Sequence, residues 1–320
     1  MTETVVHSKP NPGQEGTMST PLSGVVTALA TPFTPEGRLD EARLRQLVDR
    51  NIDGGVGGVV AGGSTGEFAS MTGDERRLLV ETVIDQTAGR VPVVAQTGAM
   101  SAVEAIELSK HAQRAGADVL MVVAPYYEAL TVPETLDYLR RVADSVQVPV
   151  MLYNLPVATG VNLAPDLVRR LATEVGNIAY IKDTSGDMSQ AAQLIHHHGD
   201  VISTFVGWDS LCLAAFVEGA AGAVAGTANV IPAELVSVYT SVRSGDLVSA
   251  RAQWDRVYPL IDAMLSGPFI AAVKAALREF GFPAGTPREP VHDVDPATLA
   301  AISSLAKSLR AAPVSEGMTR

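Results

Sequence analysis

Eight short valine-rich segments recur between Gly24 and Val230, and an amphipathic segment separates each from the next. Their nearly continuous hydrophobicity is typical of strands buried on both faces of a parallel sheet, whereas the intervening segments carry apolar residues at helical spacing. The predicted strands are Val25–Leu29, Gly58–Ala61, Val91–Ala95, Val119–Val123, Val148–Tyr153, Ile178–Lys182, Ile202–Val206 and Ala221–Ala225.

This alternation predicts one (β/α)8 barrel, the TIM-barrel architecture of the α/β class, over residues 21–230. A doubly wound sheet is the alternative, but it usually places a glycine-rich phosphate loop after its first strand. Here Thr31-Pro32-Phe33 follows that strand. Residues 231–310 show only helical patterns, so we predict a C-terminal helical appendix packed on the barrel.

Several predicted helices carry capping residues at their ends. Asp40 precedes the first helix as an N-cap, and Thr72 with Glu75 forms a capping-box pattern before the second. Gly116 follows the predicted end of a later helix. These signals support the alternation of helices with strands.

The composition excludes some partners. Hydrophobic residues make up 47% of the chain and charged residues 18%, which suits a large buried core. The net charge of −11, without a basic stripe, argues against binding to nucleic acid or to anionic membranes. No segment approaches the ~20 apolar residues that a membrane span needs, so we predict a cytoplasmic protein.

We predict no catalytic role for the two ends of the chain or for the single cysteine. Residues 1–20 are polar, rich in Pro, Gly and Ser, and lack an apolar leader, which predicts a disordered arm. Residues 311–320 predict a disordered tail. Cys212 lies in an apolar helical run and is interpreted as a small core residue.

Lys182 is the most informative residue. It ends an apolar strand at the rim where this fold places its active sites, and partial desolvation there disfavours the ammonium form and frees a nucleophilic amine. A primary amine is the group that forms imines with carbonyl substrates. An ion pair with Asp183 is the alternative interpretation. Three other lysines lie in predicted helices, where a solvated face explains them: Lys110, Lys274 and Lys307.

Two further strand ends suit the same chemistry. Tyr153 ends the fifth strand, and its phenol can move protons to and from a carbinolamine, although tyrosine is also a common strand residue. The second strand runs into Gly62-Gly63-Ser64-Thr65-Gly66, whose backbone N–H groups and hydroxyls suit a carboxylate or phosphate. It lacks the Gly-Lys-Ser/Thr ending of a nucleotide-binding P-loop.

The sequence supports a metal site less well than it supports a Schiff-base lysine. Successive helical positions point ~100° apart, so His196-His197-His198 cannot converge on one ion and suits a helix C-terminus instead. A metal-dependent lyase remains an alternative on the carboxylates near the strand ends, namely Glu67, Asp183, Asp187 and Asp209.

The sequence resembles the superfamily of dihydrodipicolinate synthase and N-acetylneuraminate lyase over nearly its whole length. Gly63-Ser64-Thr65-Gly66-Glu67 is similar to the family's G-[ST]-T-G-E motif, and Tyr153-Asn154-Leu155-Pro156 to its Y-N-x-P motif. Ile181-Lys182-Asp183-Thr184 is similar to the strand that carries its Schiff-base lysine.

The resemblance implies a role for each matched residue. Lys182 forms the imine, and Tyr153 donates and accepts protons. Ser64 and Tyr127 fall where the family has its proton relay, with Tyr127 typically reaching across a dimer interface.

Binding residues and assembly follow from the same resemblance. Thr65 matches the residue that holds the pyruvate carboxylate, and Val224 a residue whose backbone carbonyl contacts the substrate. The implied protein is a homotetramer that needs no metal or organic cofactor. It is expected to make or cleave a C–C bond between pyruvate, or another 2-oxo acid, and an aldehyde.

One difference from the family's pattern concerns the residue expected to bind the aldehyde substrate. In the synthases that make the lysine precursor, an arginine shortly after Y-N-x-P binds the aldehyde's carboxylate, and here Ala158 occupies that place. Together with Ser64, this favours a sugar-acid-type or other hydroxylated substrate. The alternatives are 4-hydroxy-tetrahydrodipicolinate synthase, a 2-keto-3-deoxy sugar acid dehydratase, and a non-catalytic barrel that senses a 2-oxo acid.

Overall fold

The structure is a computed structural model, and it describes residues 21–311. Its centre is a closed barrel of eight parallel strands that lie in chain order, with the last strand paired to the first. The predicted (β/α)8 architecture is confirmed, and the doubly wound alternative is wrong. The strands are β1 (Gly24–Ala28), β2 (Gly58–Ala61), β3 (Val93–Gln96), β4 (Val119–Val123), β5 (Val150–Asn154), β6 (Ile178–Asp183), β7 (Ser203–Val206) and β8 (Gly222–Ala225).

Side chains alternate between the two faces of the barrel wall, as the pleat of a strand requires. One face fills the barrel interior with a compact cluster that includes Val26, Met121, Met151 and Phe205. The other face packs against the surrounding helices in a larger cluster that includes Leu152. Burial on both faces explains why the strands are so uniformly apolar.

The helices alternate with the strands, and the predicted caps form. Asp40 accepts a hydrogen bond from the Arg43 backbone, and Thr72 and Glu75 complete a capping box. Gly116 ends its helix at φ 103°, in the left-handed region. The helices are α1 (Glu41–Asp53), α2 (Gly73–Thr87), α3 (Ala102–Ala115), α4 (Val132–Asp144), α5 (Pro156–Thr159), α6 (Pro165–Glu174), α7 (Met188–His198) and α8 (Cys212–Glu218).

Up to residue 311, four further helices follow β8 and form the predicted appendix. Its central helix packs against the helices on either side of it, and the segments that join the helices reach the carboxyl ends of the strands. They are α9 (Pro232–Arg243), α10 (Leu247–Leu265), α11 (Phe269–Glu279) and α12 (Pro296–Ala311).

Several sequence predictions concern the ends of the chain or its length. The predicted arm at 1–20 and residues 312–320 of the predicted tail lie outside the described residues, whereas Ala311, the first residue of that tail, ends the last helix. Between residues 21 and 311, no helix has the length and apolar character to cross a membrane. The short α5 and the 3-10 turns at Phe68–Ser70 and Thr227–Asn229 were not predicted, because segments this short carry little periodicity.

Candidate active site

Lys182 and Tyr153 lie side by side at the carboxyl ends of β6 and β5. They are register partners, and Lys182 Nζ lies 4.0 Å from the centroid of the Tyr153 ring. Both residues are buried, with exposed fractions of 5% and 3%. Because side chains alternate along a strand, both point into the barrel, while their C-terminal neighbours point outward.

Those outward neighbours lock the two strand ends together. Asp183 accepts hydrogen bonds from Asn154 (2.8 Å), from Gln190 (3.1 Å) and from the hydroxyl of Ser185 (3.0 Å). Burial raises the pKa of Asp183, and these hydrogen bonds oppose that shift. The alternative in which Lys182 pairs with Asp183 is therefore not supported.

Gly207, at the end of the neighbouring β7, makes room for Lys182. A Cβ atom at this position would lie 2.6 Å from Lys182 Cε and would also overlap the Thr184 hydroxyl. Both distances are shorter than Cβ atoms show in proteins, so a larger residue here would force the side chains of Lys182 and Thr184 to shift.

The turn after β2 brings hydroxyls to the same point. Ser64 Oγ lies 3.3 Å from Tyr153 OH, within hydrogen-bonding distance. Thr65 is 6% exposed. The turn closes through the Glu67 backbone N–H, which donates to the Ser64 carbonyl, and Glu67 itself has φ 62°, in the left-handed region.

A cavity of about 430 Å³ lies over Lys182. Five of the six predicted site residues line it, which are Ser64, Thr65, Tyr153, Lys182 and Val224. This volume is in the range of small-molecule sites.

Tyr127 does not join them. It follows β4, is 85% exposed, and lines a different cavity together with residues of α4, including Tyr138 and Arg141. Within one chain, the structure brings together only Ser64 and Tyr153 of the three residues predicted to form the relay.

Two polar residues of the cavity were not predicted as substrate contacts. Thr184 Oγ1 is buried without a hydrogen-bond partner among the described residues. Asp209 accepts both its hydrogen bonds, from the N–H and hydroxyl of Thr227, on one oxygen, Oδ1. Burial raises the pKa of Asp209. The sequence signal that could have identified Thr184 and Asp209 is their position just after β6 and β7.

The appendix forms the opposite wall. Leu265, Pro268, Phe269, Ile270 and Val291 line the cavity, although they are at least 80 positions from Lys182 in the sequence. No local sequence pattern predicts the contact between these residues and the cavity, because it depends on how the appendix packs over the barrel.

The structure corrects the prediction for Lys274. Lys274 on α11 was expected on a solvated helix face, yet it is buried and forms an ion pair of 2.5 Å with Glu67. Burial lowers the pKa of Lys274, and the Glu67 charge opposes that shift.

The carboxylates that raised the metal alternative do not converge. Glu67 pairs with Lys274, and Asp183 is held by Asn154 and Gln190. Over residues 21–311, no group of three or more His, Cys, Asp or Glu side chains is arranged to hold a metal ion. His196 pairs with Glu218 at the surface.

A second cavity, of about 470 Å³, adjoins the first. The two share four lining residues, namely Ser64, Leu155, Ile270 and Val291. Ala158 lines the second cavity, and so does Arg288.

Arg288 cannot offer its charge freely to a ligand. Its guanidinium donates to the carbonyls of Gly37 and Ser70 and to both carboxylate oxygens of Glu75. These five contacts match the five N–H donors of an arginine side chain.

Comparison with known proteins identifies the family. A sequence model of the dihydrodipicolinate synthetase family matches residues 21–309. The chain belongs to this family. Its members are carbon–carbon lyases of the aldolase type, and this chain is therefore a lyase of that type, which argues against the non-catalytic sensor.

Individual relatives agree over most of the chain. A 4-hydroxy-tetrahydrodipicolinate synthase from Syntrophus aciditrophicus is 38% identical over 260 residues, which cover 81% of this chain and 89% of the relative. YagE, a prophage protein of this family from E. coli K12 solved in complex with pyruvate, is 33% identical, with a TM-score of 0.86 and coverage of 91% of this chain and 99% of its own.

A third relative is the chloride-inhibited dihydrodipicolinate synthase from Acinetobacter baumannii, also complexed with pyruvate. It is 30% identical, with a TM-score of 0.87, and the match covers 90% of this chain and 99% of that one.

Proposed function

We propose that this lyase uses Lys182 to form a Schiff base with pyruvate, or another 2-oxo acid, and makes or cleaves a C–C bond to an aldehyde. The observation that carries the proposal is a buried primary amine 4.0 Å from a tyrosine ring, inside a cavity that a serine hydroxyl also reaches. The pyruvate bound to YagE and to the A. baumannii enzyme supports this choice of donor.

The reaction begins when neutral Lys182 Nζ adds to the carbonyl carbon of the 2-oxo acid. The former carbonyl oxygen receives one proton from Nζ and one from Tyr153 OH and leaves as water, which gives the iminium and leaves Tyr153 as the phenolate. Ser64 Oγ, 3.3 Å from Tyr153 OH, relays protons to and from the phenol.

The iminium is an electron sink, so a proton passes from the adjacent carbon to the relay of Tyr153 and Ser64 and an enamine forms. The enamine carbon attacks the aldehyde carbon, whose oxygen gains a proton, and water then hydrolyses the new iminium to release Lys182 and product. In the lyase direction the same steps run backwards. We assign the donor's carboxylate to Thr65 and the N–H groups of its turn, and a substrate contact to the Val224 carbonyl.

We assign the third relay residue, Tyr127, to a second copy of the chain. Its exposed position on the loop after β4 supports a role at an interface rather than in its own cavity. A homotetramer built from such dimers remains a proposal, as does the cytoplasmic location.

The geometry favours a hydroxylated aldehyde. Thr184 Oγ1 lacks a partner, and Asp209 keeps Oδ2 free of hydrogen bonds to other described residues, so both can bond to substrate hydroxyls. Ala158 supplies no cation, and the donors of Arg288 are occupied. A buried carboxylate without a cationic partner is costly, which disfavours an acidic aldehyde at this wall.

The second candidate is 4-hydroxy-tetrahydrodipicolinate synthase. The names of the curated relatives fit it better than they fit a sugar-acid lyase. That reaction needs an aldehyde that carries its own carboxylate, so the two candidates differ in a property that can be measured directly.

Three experiments test the proposal. Borohydride reduction with pyruvate, followed by intact mass, is expected to show one covalent adduct, and no adduct would overturn the Schiff-base mechanism. Initial rates with pyruvate are then compared for aspartate semialdehyde and for glyceraldehyde as a hydroxylated acceptor. A kcat/KM of about 10⁴ M⁻¹s⁻¹ or more with aspartate semialdehyde selects the synthase. A 2-keto-3-deoxy sugar acid that loses water without C–C cleavage selects the dehydratase.

A further inference from the structure

The ion pair between Lys274 and Glu67 is the most deeply buried one in the described part of the chain. Its side chains are 1% and 2% exposed, and the proposed chemistry uses neither. Lys274 Nζ also donates to the Thr286 carbonyl and lies 4.4 Å from the centroid of the Phe33 ring. An ion pair so enclosed fixes the two elements that carry it, because separating the charges leaves one of them buried alone.

One of these elements is the turn that presents Ser64 and Thr65. Glu67 ends that turn in the left-handed region, which costs free energy for a residue with a Cβ atom. The surrounding contacts must therefore hold it. Its Oε1 pairs with Lys274, and its Oε2 accepts a hydrogen bond of 2.8 Å from the Arg288 backbone. Both carboxylate oxygens are thus bound by the appendix.

The other element is the wall of the cavities. The segment after Thr286 continues through Arg288 to Pro290 and Val291, and Val291 lines both cavities. Arg288 holds this segment to Glu75 at the start of α2. The same ion pair therefore connects the proposed donor-binding turn with the wall that faces the aldehyde.

We propose that Lys274 is a positioning residue, which acts through Glu67 to hold Ser64 and Thr65 in register with Tyr153. The inference rests on the proposed function, in which those hydroxyls serve the relay and the donor's carboxylate. A misplacement of about 1 Å at a reacting group can cost ~10²-fold in rate, so loss of the ion pair reduces kcat by about 10- to 100-fold.

The test compares Lys274→Met with the double variant Glu67→Gln/Lys274→Met. The single variant leaves Glu67 charged and buried without its cation, whereas the double variant removes that charge and keeps an acceptor for the Arg288 N–H. We expect the thermal midpoint to fall in the single variant and to recover in the double variant, while kcat stays at least tenfold below wild type in both. Recovery of kcat together with the midpoint would overturn the positioning role.

Hydrogen exchange gives a readout that does not depend on activity. Peptides covering 62–71 are expected to exchange faster in the variants, whereas peptides covering β5 stay unchanged. Equal exchange in 62–71 also overturns the inference. If Lys274→Met does not fold, Glu67→Gln, which keeps the shape of the side chain, takes its place with the same expectations. Lys307→Met on α12 is the matched control.

The two proposals fail separately. Borohydride trapping of pyruvate by the wild type decides the proposed function, and the exchange of 62–71 decides the positioning role. If the wild type traps no pyruvate but the variants exchange faster in 62–71, the Schiff-base mechanism is wrong. The ion pair then still holds the turn against the appendix as a structural contact.

Discussion

Lys182 Nζ lies 4.0 Å from the centroid of the Tyr153 ring, and the two residues are register partners on adjacent strands. The pairing fixes their separation through backbone hydrogen bonds rather than through flexible loops. Asn154 and Asp183, one position further along each strand, bond to each other on the outer face and hold the strand ends together. The proposed nucleophile and proton donor thus share one rigid support.

Lys182→Ala is expected to abolish both borohydride trapping of pyruvate and turnover. The amine is the only group in the proposal that can form the imine. Intact mass after reduction measures the adduct, and Lys110→Ala on the exposed face of α3 is the control. Equal labelling of Lys182→Ala and wild type would exclude Lys182 as the nucleophile.

Tyr153→Phe is expected to keep the fold and to lower kcat by roughly 10²–10⁴, because general acid–base catalysis contributes about that much. Steady-state kinetics measure the effect, with circular dichroism as a check on folding. Tyr258→Phe on the surface of α10 is the control and should behave as wild type. Unchanged turnover in Tyr153→Phe would remove the phenol from the mechanism.

Gly207→Ala is expected to displace Lys182, since the new methyl group would lie 2.6 Å from Lys182 Cε. We expect the rate of borohydride-trapped adduct formation to fall by about tenfold or more, because the displaced amine no longer lies in position to attack the carbonyl carbon. Gly176→Ala, which meets no atom within 4 Å, is the control. Wild-type trapping kinetics in Gly207→Ala would show that the space is not needed.

Ala158→Arg is expected to raise kcat/KM for aspartate semialdehyde by one to two decades. A charge-assisted contact to a carboxylate contributes roughly 1.5–3 kcal/mol, and about 1.4 kcal/mol corresponds to one decade. Coupled assays with pyruvate measure the gain. Val157→Arg, at an 80% exposed position next to it, should gain nothing. No gain in Ala158→Arg would mean that this wall does not face the aldehyde's carboxylate.

Glu75→Gln is expected to destabilise the protein at neutral pH and not in acid. The hydrogen bond from Arg288 lowers the pKa of Glu75 from 4.5 to about 2. A lowered carboxyl pKa stabilises the folded state above the unfolded value, and this contribution is lost as pH falls through the folded value. The difference in free energy of unfolding between wild type and variant should therefore shrink between about pH 4.5 and 2.

Urea denaturation at several pH values measures this difference. Glu107→Gln, at an exposed position on α3, is the control and should change stability little at any pH. A difference between wild type and Glu75→Gln that stays constant down to about pH 2 would contradict the role of the ion pair.

The sequence determined the barrel and the core of the site. Each strand and helix depends on local periodicity, and the carboxyl ends of parallel strands meet at one rim. Strand order therefore predicts that Tyr153, Lys182 and the turn carrying Ser64 and Thr65 meet in one cavity, whereas Val224 was predicted only from the resemblance to the family. The boundaries of β2 and β4 match the predicted ones, and those of the other six strands differ by one or two residues, because backbone hydrogen bonds decide where a strand starts.

Only the tertiary structure decided how the appendix completes the site. Lys274 has the helical spacing of an ordinary surface lysine, yet packing of α11 over the barrel buries it against Glu67. The walls at Ile270 and Val291 and the commitment of Arg288 to Glu75 arise the same way. Burial and ion pairing between residues some 200 positions apart depend on three-dimensional packing, which local patterns along the chain do not encode.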